Sequence, residues 1–383
     1  MRIIYLSSPP FADCDFPLVK EFQQLGHDVY YFIDLPRYFL KSNIINIKRQ
    51  IQKDGILKAS EYKELEMFVN YINMEHVYVI NRTKKSVFCI SNIKLELQLI
   101  SFIRKINPDI ILLTRQPDMF SCLLYQFRKR IVLTVHDPFP HTGEVSMRRM
   151  FFRKIAFKII PKFVLLNQNQ KEEFQKTWKL KDEQISINRL GSYDCTLLFL
   201  KHSEIHKSKP NILFYGRISP YKGIEYLLEA MKIVHNKIPE ATLTIAGSGK
   251  MYFDTTQYEK LPYIEFQNHY IEMEELAMRL NNCSIVVCPY IDATQSGVVQ
   301  TSFSMNKPVI ATDVGAMKEY INNGYTGLLV PPRDYIALSD AIIKMLETKG
   351  LLEYMEYNLK NMVYDKDFGW QGIASKYIDF FIK

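Results

Sequence analysis

Two basic residues follow a short apolar segment in the second half of the chain. The segment Asn211–Tyr215 has the pattern of a buried strand, and Gly216, Arg217 and Lys222 come soon after it. Because Gly216 has no Cβ, a ligand or a neighbouring backbone can approach closely at the end of this strand. Fixed positive charge stabilises negative charge that develops on a leaving group. Arg217 and Lys222 are therefore candidates for binding a diphosphate, and the alternative is that both are solvated loop residues.

A turn rich in serine, threonine and glycine begins at Ala293 and leads into a predicted helix. Its hydroxyls and the first backbone amides of the helix could bind phosphate. The turn could also be an ordinary helix cap, with Thr294 or Ser296 at the N-cap position, and both roles are compatible. The turn and the start of its helix supply seven candidate ligand-binding residues: Thr294, Gln295, Ser296, Gly297, Val298, Gln300 and Thr301.

One histidine in the first half of the chain directly follows a predicted buried strand. The segment Ile131–Val135 is apolar, and His136 and Asp137 come next, beyond the end of the strand. An imidazole at that place could hydrogen-bond a substrate. From its position alone, a purely structural role for the histidine is about equally well supported. Asp137, His141 and Glu144 are weaker candidates, either for contact with an acceptor substrate or for loop structure.

The sequence offers little for binding a metal ion. Asp13 and Asp15 form the Asp-x-Asp pattern of some metal-dependent enzymes, but they lie in the first turn between a strand and a helix. We expect them to cap a helix that begins at Phe16. The six cysteines form no CxxC pair and no ligand spacing with histidine. We therefore predict no catalytic metal and no bound cofactor.

The candidate residues are placed by a repeated alternation of apolar strands and amphipathic helices. Near-continuous apolar strands are buried on both faces, which predicts parallel sheets. The fold class is α/β, with two Rossmann-like doubly wound domains that face a central cleft at the carboxyl ends of their strands. We predict domains at 1–200 and 208–364, joined by a lysine-rich linker that begins at Lys201. The stretch 36–82 fits the alternation poorly and is interpreted as an insertion with an acceptor-side role.

The segment that begins at Asn211 resembles the retaining glycosyltransferases of family four, which have the GT-B fold. The family pattern G-R-x-x-P-x-K-G is matched by Gly216, Arg217, Pro220, Lys222 and Gly223 with the correct spacing. The resemblance continues, in order, through four further segments: Thr242–Lys250, Ser284–Tyr290, Lys307–Ile321 and Asn323–Asp334. It adds Gly247 to the ligand-binding candidates of the turn, and it implies that all of these residues bind the sugar donor.

The resemblance implies roles for several residues. Arg217 and Lys222 would contact the diphosphate of a nucleotide sugar, and His136 would face the transferred sugar. The segment 365–383 would be a last helix that crosses back to the first domain, with Trp370 packed at the crossing. The nucleotide-diphosphate sugar, linked to UDP or GDP, would be a co-substrate rather than a cofactor.

The chain departs from the family in the turn that begins at Ala293. Family members have two spaced glutamates there, one near the donor sugar and one on the ribose. The corresponding positions here are near Ala293 and Thr301. Asp292 is the candidate carboxylate for the sugar hydroxyls, and Gln300 or Thr301 is the candidate for the ribose. Some polysaccharide-building relatives have a similar A-T-Q-S-G-V turn.

The function implied by this resemblance is transfer of a hexosyl group with retention of configuration and without metal. The acceptor would be a saccharide or a polyprenyl-linked oligosaccharide in surface polysaccharide synthesis. Two alternatives stay open. One is a catalytically inactive GT-B subunit that serves in binding or in assembly, which the missing glutamates permit. The other is a different GT-B enzyme, such as a sugar-nucleotide epimerase.

The charge of the chain is compatible with an anionic partner. The formal net charge is +8 at pH 7, and the basic stretch Arg148–Lys162 also contains apolar residues at helical spacing. Such a helix could lie on an anionic membrane surface or be a core helix with snorkelling lysines. No apolar run is long enough to span a bilayer. We therefore predict a cytoplasmic protein, with peripheral membrane attachment as an open alternative and no nucleic-acid partner.

Overall fold

The computed structural model describes residues 1–38, 40–84, 89–118, 121–139, 147–200, 209–293, 296–362 and 365–383. The chain forms two compact units. The first contains Met1–Gly191 together with Trp370–Lys383, and the second contains Ser192–Gly369. Each unit is built on its own sheet of parallel strands, with one antiparallel strand pair in the first unit. This confirms the predicted α/β class with two Rossmann-like domains.

The first unit contains an eight-stranded sheet. Its strands are β1 (Arg2–Ser7), β2 (Asp28–Pro36), β3 (Gly55–Lys58), β4 (Val77–Arg82), β5 (Ile110–Leu113), β6 (Ile131–Val135), β7 (Lys162–Leu165) and β8 (Ile185–Ile187). The order across the sheet is β3-β4-β2-β1-β5-β6-β7-β8. Among these neighbours only the β3–β4 pair is antiparallel.

The second unit contains a six-stranded sheet in which all neighbouring strands are parallel. Its strands are β9 (Asn211–Tyr215), β10 (Thr242–Ala246), β11 (Ile264–Gln267), β12 (Ile285–Cys288), β13 (Val309–Thr312) and β14 (Gly327–Val330). The order is β11-β10-β9-β12-β13-β14, so the chain reverses direction across the sheet beside β9. Ligands of such sheets bind outside the carboxyl ends of the strands at this reversal.

Helices cover the sheets. They are α1 (Ala12–Gln24), α2 (Ile90–Ile106), α3 (Met147–Ile159), α4 (Lys171–Trp178), α5 (Ile224–Lys237), α6 (Thr256–Glu259), α7 (Met273–Asn282), α8 (Gly297–Ser304), α9 (Met317–Tyr320), α10 (Tyr335–Glu347), α11 (Leu351–Met362) and α12 (Trp370–Ile382). Short 3-10 helices lie at Pro9–Phe11, Ala59–Glu61, Lys63–Phe68, Cys122–Arg130, Gln168–Gln170, Asp182–Gln184, Asp194–Phe199 and Pro220–Lys222. In the described parts of the chain, no helix combines the length and the apolar character needed to cross a membrane.

The stretch 36–82 is part of the first sheet, so its interpretation as an insertion outside the alternation is wrong. It contributes β3 and β4, and β4 lies parallel to β2 in the register Ile33 to Val79. Val77 and Val79 are buried, as is Leu57 on the antiparallel edge strand. The sequence around β3 is polar and forms turns and 3-10 helices, and this interruption of the alternation hides the two strands.

The boundary between the units lies before the predicted linker. Ser192–Leu200 belong to the second unit, whereas the prediction placed them in the first domain. The reason is local packing, since the backbone N–H of Tyr193 donates to the carbonyl of Gln300 in α8 at 3.2 Å. The predicted linker residues 201–208 lie outside the described residues.

The last helix, α12, packs within the first unit. Phe22 of α1 contacts the rings of Tyr377 and Phe381, with both centroid distances at 6.1 Å. Trp370 covers Gly191, where an added Cβ would lie 2.6 Å from the indole ring. The absence of a side chain at Gly191 therefore allows the start of α12 to approach this segment.

The prediction that Asp13 and Asp15 cap a helix starting at Phe16 is wrong. Helix α1 begins at Ala12, so both aspartates lie inside its first turn, and both are buried. Asp15 accepts hydrogen bonds from the hydroxyls of Tyr5 and Tyr31, and burial raises its pKa to about 7. Both carboxyl groups are thus part of the packing of the first unit. Among the described residues, no group of three or more His, Cys, Asp or Glu side chains could hold a metal ion.

Candidate functional site

The backbones at Gly216 and Gly247 meet at the carboxyl ends of β9 and β10. The N–H of Gly216 donates to the carbonyl of Ala246 at 3.0 Å. A Cβ on Gly247 would lie 1.7 Å from the carbonyl oxygen of Gly216, so only glycine fits there. Gly216 has φ +119°, which also favours glycine. The close approach expected at Gly216 is therefore made by a neighbouring backbone.

Lys222 is held in a buried position at the end of the 3-10 helix Pro220–Lys222. Its Nζ lies 3.6 Å from the centroid of the Tyr290 ring and 5.0 Å from that of Tyr221. Burial lowers the pKa of Lys222 to about 8. An aromatic face attracts a desolvated cation, which partly offsets the cost of burying the charge. Lys222 is thus not a solvated loop residue, and that alternative does not hold for it.

Gly223 allows this arrangement of Lys222 and Tyr290. It has φ +60°, and a Cβ there would lie 2.1 Å from the carbonyl oxygen of Pro289. The turn that carries Lys222 therefore packs directly on the segment that follows β12. The carbonyl of Tyr290 also accepts a hydrogen bond from Thr312 Oγ1 at 2.5 Å. The lysine and the tyrosine ring are positioned by backbone contacts on both sides.

Arg217 is exposed, and it lines a wide surface groove of about 690 Å³ in the second unit. The same groove is lined by Lys250, Tyr252 and Phe253. These three residues were missed as candidates, although the segment Gly247–Lys250 was already part of the family resemblance. A second cation after β10 is the signal that could have identified Lys250. Two cations and two aromatic rings on one groove suit an anionic ligand with a planar ring.

The turn before α8 is only partly described, since Thr294 and Gln295 lie outside the described residues. Ser296 occupies the N-cap position of α8, but its side chain does not cap the helix, and its Oγ lies 3.5 Å from the hydroxyl of Tyr290. Gly297 and Val298 form the first turn. Ser296 is therefore the N-cap residue, as one of the two alternatives predicted, but its hydroxyl makes no capping hydrogen bond to the first amides of α8.

Gln300, Thr301 and Asp292 differ in exposure. Gln300 and Thr301 are buried in α8, and Thr301 Oγ1 donates to the carbonyl of Gly297 at 2.8 Å. The hydroxyl of Thr301 therefore keeps only acceptor capacity for a ligand. Asp292 is exposed and is the described carboxylate nearest in sequence to the turn.

In the first unit, His136 follows β6 as predicted, and its ring packs against that of Phe11 in a tilted arrangement with a centroid distance of 4.5 Å. Burial lowers the pKa of His136 to about 4, while Asp137 acts in the opposite direction. The imidazole is therefore neutral near pH 7 and has one donor and one acceptor nitrogen. His141 and Glu144 lie outside the described residues.

Three comparisons place this geometry among known proteins. Residues 209–348 match the family described as Glycosyl transferases group 1. An uncharacterized glycosyltransferase of Methanocaldococcus jannaschii is 29% identical over 198 residues, which are 49% of this chain and 48% of that protein. The chain thus matches only about half the length of that relative.

Two further proteins match over nearly the full chain. The capsular polysaccharide biosynthesis glycosyltransferase CapM of Staphylococcus aureus is 23% identical and aligns with 88% of this chain and 92% of its own length. The crystal structure of Anabaena HepE in complex with UDP-glucose has a TM-score of 0.66 at 14% identity, covering 99% of this chain and 98% of that one. Residues 209–348 are thus similar to the group 1 glycosyl transferases, and the chain has the GT-B fold.

Proposed function

We propose that the chain transfers a sugar from a UDP- or GDP-linked donor to a saccharide or polyprenyl-linked oligosaccharide acceptor. The observation that carries the proposal is the buried cation Lys222, held against Tyr290 at the carboxyl end of β9. A folded protein keeps a charge in such a position at a cost, and a bound anion would offset that cost. The UDP-glucose bound by HepE supports a nucleotide-sugar donor, and the name of CapM supports a role in making a surface polysaccharide.

In this proposal the residues of the second unit hold the donor. Arg217 and Lys222 bind the diphosphate and stabilise the charge that develops on it as the glycosidic bond breaks. The amides at the start of α8 bind phosphate, Asp292 binds sugar hydroxyls, and Gln300 or Thr301 binds the ribose. His136, as a neutral imidazole, hydrogen-bonds the sugar or the acceptor. Transfer proceeds with retention by attack on the face that the diphosphate leaves, and the leaving diphosphate takes the proton of the acceptor hydroxyl.

The two cations also make the proposed reaction independent of a metal ion. A divalent metal in such reactions neutralises the leaving diphosphate and orients it. Arg217 and Lys222 supply positive charge to the same group.

Association with an anionic membrane is part of the proposal. Helix α3 buries Ala156 and Phe157, whereas Met147 and Phe151 are 81% and 60% exposed. Lys154 and Lys158 are exposed on the same helix. The helix thus has a core face, as one sequence interpretation predicted, and also an outer face with apolar and basic side chains. Such a face suits the surface of a membrane that carries a polyprenyl-linked acceptor.

Slow hydrolysis of the donor tests the proposed activity without knowledge of the acceptor. The full chain is incubated with UDP-glucose, UDP-N-acetylglucosamine and GDP-mannose, with and without EDTA, and the released nucleotide is measured. We expect release from at least one donor, at an unchanged rate in EDTA, because an active transferase slowly passes its sugar to water. An inactive binding subunit would release nucleotide from none of a broad donor panel. Activity that EDTA abolishes and Mg²⁺ or Mn²⁺ restores would contradict the metal-independent mechanism.

A further inference from the structure

The first unit contains a partly enclosed cavity of about 60 Å³ at the carboxyl ends of β1, β2, β4 and β5, beside α2. This volume has room for only a few water-sized groups, so it suits a substituent of a sugar better than a whole sugar ring. Its apolar lining consists of six aliphatic side chains: Leu6, Ile80, Leu95, Leu99, Leu113 and Leu124.

Asp34 lines this cavity, and one of its two carboxylate oxygens lacks a donor. Asp34 bonds through Oδ2 to the guanidinium of the buried Arg82, and the same oxygen lies 3.5 Å from Nη2 of Arg115. Its other oxygen, Oδ1, is buried and has no hydrogen-bond partner among the described residues. A buried acceptor without a donor is unfavourable, so a ligand N–H or O–H at this place would stabilise the structure.

Arg115 offers the complementary donors. Its side chain is 41% exposed, and its contacts to Asp34 and Asp118 are long, at 3.5 and 3.4 Å, and both involve Nη2. A guanidinium has five N–H groups, so Arg115 retains donor capacity for a ligand carbonyl.

The charges of the cavity indicate a neutral ligand. Asp34 and Glu96 are balanced by Arg82 and Arg115, all four of which line the cavity. A phosphate or an ammonium group would lose its hydration without a net opposite charge to compensate. The cavity thus combines an apolar lining with an acceptor on Asp34 and donors on Arg115, and its charged side chains balance.

A secondary amide with a methyl group has these properties. We propose that the cavity binds the N-acyl group of an amino sugar in the acceptor. The acyl methyl packs on the apolar lining, the amide N–H donates to Asp34 Oδ1, and the amide carbonyl accepts from Arg115. This inference rests on the proposed glycosyltransferase function, because only a transferase has an acceptor. It names the class of sugar that the acceptor contains.

Saturation-transfer NMR on the full chain tests the inference. Methyl N-acetyl-β-glucosaminide is compared with methyl β-glucoside and methyl β-glucosaminide, and UDP binding is measured separately. We expect the strongest saturation at the acetyl methyl protons and an affinity at least tenfold above that of the other probes. Equal affinity for the glucoside, or no saturation of the acetyl methyl, would overturn the inference and leave a cavity that holds water only.

Three variants assign the binding to the cavity. Leu99→Phe fills the cavity from its apolar lining, and Asp34→Asn replaces the acceptor oxygen with little change in shape. Leu97→Phe is the matched control, because Leu97 lies on the same helix but is 54% exposed. We expect both cavity variants, but not the control, to lose at least tenfold in affinity for the N-acetyl probe. If Leu99→Phe does not fold, Asp34→Asn decides the matter, and wild-type binding by it overturns the inference.

UDP binding separates this inference from the proposed function. Binding of UDP without binding of the N-acetyl probe would contradict the N-acyl pocket alone. Binding of the N-acetyl probe to this cavity without any nucleotide binding would support the pocket and contradict the donor site.

Discussion

Lys222→Ala and Arg217→Ala should each reduce the rate of sugar transfer, or of donor hydrolysis, by a hundredfold or more. Each variant removes one positive charge that would face the developing negative charge of the leaving diphosphate. Loss of one such contact raises the activation barrier by about 3 kcal/mol, which corresponds to this fall in rate. The measurement is the initial rate of nucleotide release at saturating donor.

Folding must be preserved for these rates to be interpreted. Lys260→Ala is the matched control, because Lys260 is an exposed lysine of the same unit. We expect it to keep the wild-type rate, and we expect all three variants to show the wild-type circular dichroism spectrum. Near-normal turnover by both the Lys222 and Arg217 variants would remove the proposed diphosphate site.

The second large effect is expected at Tyr290, which acts as a positioning residue for Lys222. Its ring centroid lies 3.6 Å from Lys222 Nζ. A desolvated cation–π contact contributes about 2 kcal/mol, so its loss in Tyr290→Leu should lower kcat/KM roughly tenfold to thirtyfold. Tyr290→Phe keeps the ring and should retain most of the activity. The comparison of the two variants separates the aromatic face from the hydroxyl group.

The pH dependence of kcat/KM distinguishes loss of the cation–π contact from a general loss of packing, which would not shift it. The pKa of Lys222 is lowered to about 8 by burial, so activity that needs the charged lysine should fall as the pH rises through this value. The Tyr290 ring favours the charged form of Lys222. Replacing the ring by leucine keeps the site apolar but removes this attraction, so the pKa of Lys222 falls further. The alkaline limb of kcat/KM should therefore move to lower pH in Tyr290→Leu but not in Tyr290→Phe. An unchanged rate and an unchanged alkaline limb in the leucine variant would contradict the role of Tyr290.

The positions of the two cations could be predicted from the sequence, but the environment of Lys222 could not. A strand followed by glycine, arginine and lysine fixes where the residues lie along the chain. The partner of Lys222 is Tyr290, which follows a different strand, and only the strand order of the second sheet brings the two together. A tyrosine in an apolar segment has no sequence signal that distinguishes it from an ordinary core residue.

The errors in the fold prediction also have physical causes. The strands β3 and β4 were missed because polar turns and 3-10 helices lie between them, so periodicity over a long window does not show them. Asp13 and Asp15 were expected to cap a helix because acidic residues are frequent near helix starts. Their actual environment depends on Tyr5 and Tyr31, whose hydroxyls meet Asp15 only after β1 and β2 have paired.

Calorimetric titration tests the central claim most directly, namely that the second unit binds the diphosphate of a nucleotide through Lys222 and Arg217. UDP and GDP are compared with uridine and guanosine, for the wild type and for Lys222→Ala. We predict that at least one diphosphate binds the wild type tenfold or more tightly than its nucleoside, and that Lys222→Ala loses most of this difference. Equal affinity of the wild type for diphosphate and nucleoside, or an undiminished preference for the diphosphate in Lys222→Ala, would contradict the account.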